Sequence, residues 1–265
     1  MALQLFLIYS MDAVICHVQS FNPVHFHLSS HKMPIPILMY HQIDKPAGRG
    51  SPFRYLTVDP ANFHRQMKWL KRMGYAGLSM RDLQPYLAGQ KTGKVVGITF
   101  DDGFRNVMTH ALPVLDALGF TATNYFVSRQ IGGSNIWDAD VGVPHSPCMS
   151  RAEMLEWAAL GHEVGAHTLD HVHLTEVSPD EARRQIADVR RELEDMLGSV
   201  VDAFCYPYGD FAGEVRQMVE EAGYTTATTT QRGRATPQHD MLLLPRKIVR
   251  RTDGWLNVLR KSVTG

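Results

Sequence analysis

From residue 35 onward, short apolar runs alternate with longer runs in which apolar residues recur every three or four positions. The short runs predict strands at 35–40, 95–100, 122–127, 164–166, 203–206 and 225–228, with a further extended segment at 242–249. The longer runs predict helices. Asp59-Pro60 supplies an N-cap and an N1 proline, and Phe63, Met67 and Leu70 mark the apolar face of the helix that follows, which stops near Gly74. A helix over 106–118 is interrupted early by Pro113. Ser150 and Glu153 form a capping box for a helix through residue 160. Ser178-Pro179-Asp180-Glu181 is a stronger start signal, and Ala182, Ile186, Val189, Leu193 and Met196 then form a core-facing stripe. Helices over 213–222 and 253–261 complete the pattern. Strand–helix alternation over this length predicts a parallel α/β sheet, open or closed into a barrel, with no internal repeat.

Residues 1–32 break the pattern. Positions 3–18 are apolar-rich but interrupted by Asp12, with no basic stretch before them, so they fit neither a membrane span nor a signal peptide. His17, His25, His27 and His31 also lie here. The expectation is a disordered leader or an over-extended reading frame, with Met33 as the true start and residues 33–265 forming one domain. A cytoplasmic location is the matching expectation.

Bulk composition narrows the function classes. The 265 residues carry zero formal net charge, which gives no support to nucleic-acid binding, and the 44% apolar content suffices for one large core. Three widely spaced cysteines, Cys16, Cys148 and Cys205, argue against a disulfide scaffold.

Chemistry concentrates where strands end, which is where parallel α/β folds build their sites. Asp101-Asp102-Gly103 follows the 95–100 strand, and His167-Thr168-Leu169-Asp170-His171 follows the 164–166 strand. Taken alone, the first is also a turn signal and the second a helix-face pair without metal. Together, one carboxylate and two imidazoles make a three-ligand site for a borderline divalent metal, and the second carboxylate is left to act as a base. The four-residue histidine spacing predicts both rings on one side of a helical turn, with Asp170 either orienting a ring or facing solvent.

These segments resemble the polysaccharide deacetylase family, also called NodB-homology or carbohydrate esterase family 4. Thr99-Phe100-Asp101-Asp102-Gly103, His167-Thr168-Leu169-Asp170-His171 and Phe204-Cys205-Tyr206-Pro207-Tyr208-Gly209 resemble its first three motifs, and Leu38-Met39-Tyr40-His41 an opening strand common in it. The resemblance implies a distorted (β/α) barrel of about seven parallel strands and a hydrolase that removes N-acetyl groups from a sugar or polysaccharide. It implies Asp101 as general base and Asp102, His167 and His171 as ligands of one divalent metal, zinc by default, with cobalt, nickel or iron suiting the same set. Tyr208 would offer its backbone N–H to the oxyanion.

Two positions depart from the family pattern. Cys205 stands where an arginine usually tethers the base; the Tyr-Pro-Tyr-Gly form is similar to a branch that includes poly-N-acetylglucosamine deacetylases. Arg246 is the candidate replacement, the alternative being a surface arginine. The histidine acid of the last motif is missing after Leu242-Leu243-Leu244, leaving His239 and His41 as candidates. Cys205 reads as inert core or, alternatively, as a nucleophile or metal ligand. Trp137 reads as a sugar-stacking or a buried loop residue. Two further readings stay open: a deacylase or amidohydrolase of a small substrate, and a non-catalytic carbohydrate-binding barrel.

Overall fold

The computed structural model describes residues 34–263; the expectations for the leader, its histidines, Cys16 and the Met33 start lie outside the described residues. The chain runs β1 (Ile37–Tyr40), β2 (Gln42–Ile43), β3 (Thr57–Val58), α1 (Pro60–Arg72), β4 (Ala76–Leu78), α2 (Met80–Leu87), β5 (Val95–Phe100), α3 (Leu112–Leu118) and β6 (Thr123–Phe126). It continues through α4 (Arg151–Ala159), β7 (Glu163–Ala166), α5 (Pro179–Leu197), β8 (Ala203–Cys205), α6 (Gly213–Glu221), β9 (Thr226–Arg232), β10 (Leu244–Ile248) and α7 (Trp255–Val263). All sheet pairings are parallel. The order β1-β10-β9-β8-β7-β6-β5 closes through β1–β5 into a seven-stranded barrel, and β4 flanks β5. The barrel expectation thus holds and the open-sheet alternative falls.

Local signals explain most elements. Asp59 caps α1 by accepting from the Ala61 and Asn62 amides, and the α4 capping box forms in full. The α5 stripe buries Ala182, Ile186, Val189 and Leu193, each large apolar side chain contributing roughly 1.5–3 kcal/mol. The predicted 106–118 helix is instead a π-type turn over Val107–Ala111 followed by α3, because Pro113 offers no N–H to the preceding turn.

The short β4 and α2 are absent from the sequence expectations. Pro85 inside α2 masked its period, yet this helix closes the barrel. Its Met80 and Arg81 amides donate to Thr123 Oγ1 (2.8 Å) and Glu163 Oε2 (2.9 Å), which begin β6 and β7. Met80, Leu83 and Leu87 then pack with Ile37, Val95, Tyr125 and Leu244 as a core inside the barrel. A larger core lies between the strands and the outer helices. With its N-terminal end plugged, the barrel is open to solvent chemistry only at the rim where the strands end.

Candidate active site

Asp101 and Asp102 leave β5 in opposite directions. Asp101 turns toward the barrel interior and meets Arg246 of β10. The guanidinium grips the carboxylate in parallel, Nη1–Oδ1 at 2.7 Å and Nη2–Oδ2 at 2.8 Å, and also donates to the Thr229 carbonyl and Thr99 Oγ1. Both residues are buried. Burial pushes the Asp101 carboxyl up, but Arg246 and then His41 outweigh it and hold the group below the usual carboxylate range. Cys205 Sγ lies 3.1 Å from Arg246 Nη2, so the cysteine occupies the expected arginine position while the charge arrives from another strand.

Asp102 adopts a left-handed φ of 75°, which swings its carboxylate to the other side. Its Oδ1 lies 3.3 Å from Nε2 of both His167 and His171 and is buried without a hydrogen-bond partner. His167 Nδ1 is 2.7 Å from the Cys205 carbonyl. A carbonyl only accepts, so Nδ1 carries a proton; burial disfavours a charged ring, but Cys205 and Asp102 outweigh it and hold His167 above the ordinary imidazole range, so Nε2 becomes a lone-pair donor when a cation displaces its proton. Burial, and then the charges of His167 and His41, hold His171 below the ordinary imidazole range, against the pull of Asp102. Potential ligand atoms of Asp102, His167 and His171 converge within 4.8 Å, a set that fits a borderline divalent cation. Asp101, His167 and Cys205 also lie within that span, but Arg246 already occupies both Asp101 oxygens and approaches the cysteine sulfur.

The histidine pair is not helical, contrary to the spacing argument. Thr168 and His171 both have positive φ, 66° and 59°, and Thr168 Oγ1 accepts from the His171 amide at 2.9 Å. Two left-handed residues in a tight loop, rather than a turn of helix, bring the rings together. Gln185 of α5 supports this loop by accepting from the Leu169 and Asp170 amides, both at 3.0 Å. It went unremarked in the sequence; a glutamine beside the apolar stripe of α5 was its one signal. Asp170 orients no ring. It pairs with Arg129 (3.0 Å) and Gln185 (2.7 Å).

Trp137 stacks on His171 at 4.8 Å, and Tyr208 meets the same ring edge-on at 4.6 Å. These two contacts fix a ring whose Nδ1 has no partner. Tyr208 itself has φ 60° and stacks on His173, which is bonded to Asp210. The hydrogen bonds of its turn run from Gly209 to Tyr206 and from Asp210 to Pro207, so the Tyr208 amide takes no part in them. Gly209 is required here: a Cβ would come within 2.0 Å of Thr230 Oγ1.

The two candidate acids separate cleanly. His41 follows β1 and places Nε2 3.9 Å from Asp101 Oδ2 at the mouth of the site. His239 is exposed on the loop that leads into β10, with Nδ1 accepting from the Thr236 amide. That loop bonds to Ile35 just before β1, at the barrel end away from the rim, so the expectation for His239 fails on position. Asp102, His41, Trp137, His171 and Tyr208 line a cavity of 440 Å³. Asp138 joins them, half-buried, its carboxyl raised to about 6 by burial and then by Asp102.

The family model for polysaccharide deacetylase matches residues 88–227. YxkH of Bacillus subtilis, named for the same activity, is 30% identical over 80% of this chain and 70% of its own length. The peptidoglycan-N-acetylglucosamine deacetylase PgdA of Listeria monocytogenes is 32% identical over 52% of this chain, which spans only 26% of that enzyme. The structure of the Streptococcus pyogenes deacetylase PplD, solved with acetate, superposes with a TM-score of 0.76 at 26% identity, covering 88% of this chain and all of that one. Among the described residues no helix is long and apolar enough to cross a membrane.

Proposed function

The chain belongs to the polysaccharide deacetylase family, whose members hydrolyse N-acetyl amide bonds, and we propose that it removes acetyl groups from an N-acetylated glycan in a metal-dependent reaction. One observation carries the reading: a carboxylate locked by a buried arginine stands directly beside an open three-donor cluster.

Asp102, His167 and His171 would hold the metal, which when bound supplies Lewis-acid polarisation of the acetyl carbonyl and a lowered pKa of water. Asp101 takes the proton of the attacking water. Its two oxygens are oriented by Arg246, and its depressed pKa keeps it ionised at neutral pH. The Tyr208 amide, left over from its own turn, donates to the developing oxyanion. His41 protonates the leaving amine from the cavity side. Cys205 serves as a packed interior residue whose carbonyl sets the His167 tautomer.

The test pairs two variants with acetate release from N-acetylglucosamine oligomers, with and without chelator. Asp101→Asn is expected to keep its metal and lose on the order of 10²–10⁴ in turnover. His171→Ala is expected to lose the metal by elemental analysis. Chelator-insensitive turnover, or equal metal content in His171→Ala and wild type, overturns the reading.

A further inference from the structure

The 440 Å³ cavity is lined by Asp102, Asp138 and His171 and also by two arginines, Arg232, the last residue of β9, and Arg250, just past β10. These strands are neighbours, with Arg232 in register with Arg246 and Arg250 four residues further along, and both Arg232 and Arg250 line the one cavity. Arg250 lies 5.7 Å from the Tyr55 ring centroid, and the Tyr55 carbonyl accepts from the Arg251 amide at 2.8 Å, which ties the strand end to the loop before β3.

Neither the Arg232 nor the Arg250 guanidinium forms an ion pair among the described residues, although the Arg250 backbone amide donates to Asp253 Oδ2 at 2.7 Å. The shell differs: Arg183, Arg184, Arg190, Arg191 and Arg216 on α5 and α6 each meet an acid. Net charge is zero over the whole chain, so this pair is a local feature of the cleft. Two like charges that line one concave surface focus their field into it. Planar guanidinium forks match carboxylate and phosphate oxygens.

We infer that Arg232 and Arg250 form a subsite for an anionic group, a carboxylate or a phosphate, carried by the same glycan whose acetyl group meets Asp101. The inference rests on the deacetylase reading and specifies its substrate as an acidic glycan.

Binding to the zinc-loaded Asp101→Asn variant tests this without turnover. The probes are N,N′-diacetylchitobiose, its 1-phosphate, the N-acetylglucosamine–N-acetylmuramic acid disaccharide, and the methyl ester of that disaccharide. At low salt an acidic probe is expected to bind roughly tenfold tighter than the neutral ones. That preference should shrink with added salt, collapse toward parity in R232Q/R250Q, and survive in part in R232K/R250K. A preference for the free acid over its ester assigns a carboxylate; one confined to the sugar phosphate assigns a phosphate. Equal affinity for all four probes, or a preference that persists in R232Q/R250Q or ignores salt, overturns the proposal. Acetate release by wild-type protein from the neutral oligomer tests the deacetylase reading separately, so either idea can fail alone.

Discussion

The rim and the helical shell of this barrel solve the same backbone problem differently. Where the shell turns left-handed it uses glycine, as at Gly119 after α3 and Gly198 after α5. At the rim, beside Gly103 and Gly209, five other residues are left-handed, Phe53, Asp102, Thr168, His171 and Tyr208, each of which pays a steric penalty of about 1–2 kcal/mol. The polar accounting differs in the same way. On the shell, Ser79, Ser150 and Ser178 accept from the first-turn amides of their helices, whereas the rim leaves His41 Nδ1, Asp102 Oδ1, Trp137 Nε1 and His171 Nδ1 buried and unpartnered. The shell is arranged for stability. The rim holds side chains in conformations the local chain disfavours, and the surrounding packing keeps them there.

Breaking the Asp101–Arg246 clamp should give the largest effect. Arg246→Met leaves a buried carboxylate without its cation and is expected to cost about 3–5 kcal/mol of stability, with turnover reduced on the order of 10²-fold. The sign for pH follows from the cation's role. Arg246 holds the Asp101 pKa down, so its loss raises that pKa and moves the acidic limb of the pH–rate profile to higher pH. Arg246→Lys keeps the charge but not the fork and should fall between. An unchanged acidic limb in the Met variant would mean that Asp101 is oriented by another group.

Relieving strain at the rim should separate stability from activity. Tyr208→Asn suits the left-handed φ of 60° and is expected to recover about 1 kcal/mol, so Tm should hold or rise. Turnover should fall, because the ring packed against His171 and His173 is gone. A drop in Tm of several degrees would show that ring packing outweighs backbone strain, and the contrast drawn above would fail at that position.

The smallest change is the shell control. Ser178 accepts from the Glu181 amide at the start of α5, and Ser178→Ala should cost about 1 kcal/mol with kcat/KM per folded molecule unchanged. α5 also carries Gln185, which braces the histidine loop. A fall in kcat/KM for Ser178→Ala would therefore show that shell and rim are coupled through this helix.

The sequence by itself determined the order of the longer strands and helices other than α2, the caps of α1, α4 and α5, and the strand ends on which Asp101, Asp102, His167 and Tyr208 sit. Those features are written in neighbouring residues: apolar period, capping pairs and the residues that close each strand. It did not reveal α2, where Pro85 obscured the period. It placed His171 correctly in the chain but on the wrong backbone, because spacing does not encode the left-handed φ that a tertiary scaffold imposes. Tertiary structure alone decided between Arg246 as surface residue and as clamp, which of His41 and His239 stands beside Asp101, and that Trp137 stacks on the His171 ring. Arg246 reaches Asp101 across 145 residues because β10 and β5 both flank β1 in the closed barrel. Closure also brought Arg232 and Arg250 to the lining of one cavity. Local sequence fixes direction and period over a few residues; which strands become neighbours follows from burying one core inside the barrel and another around it.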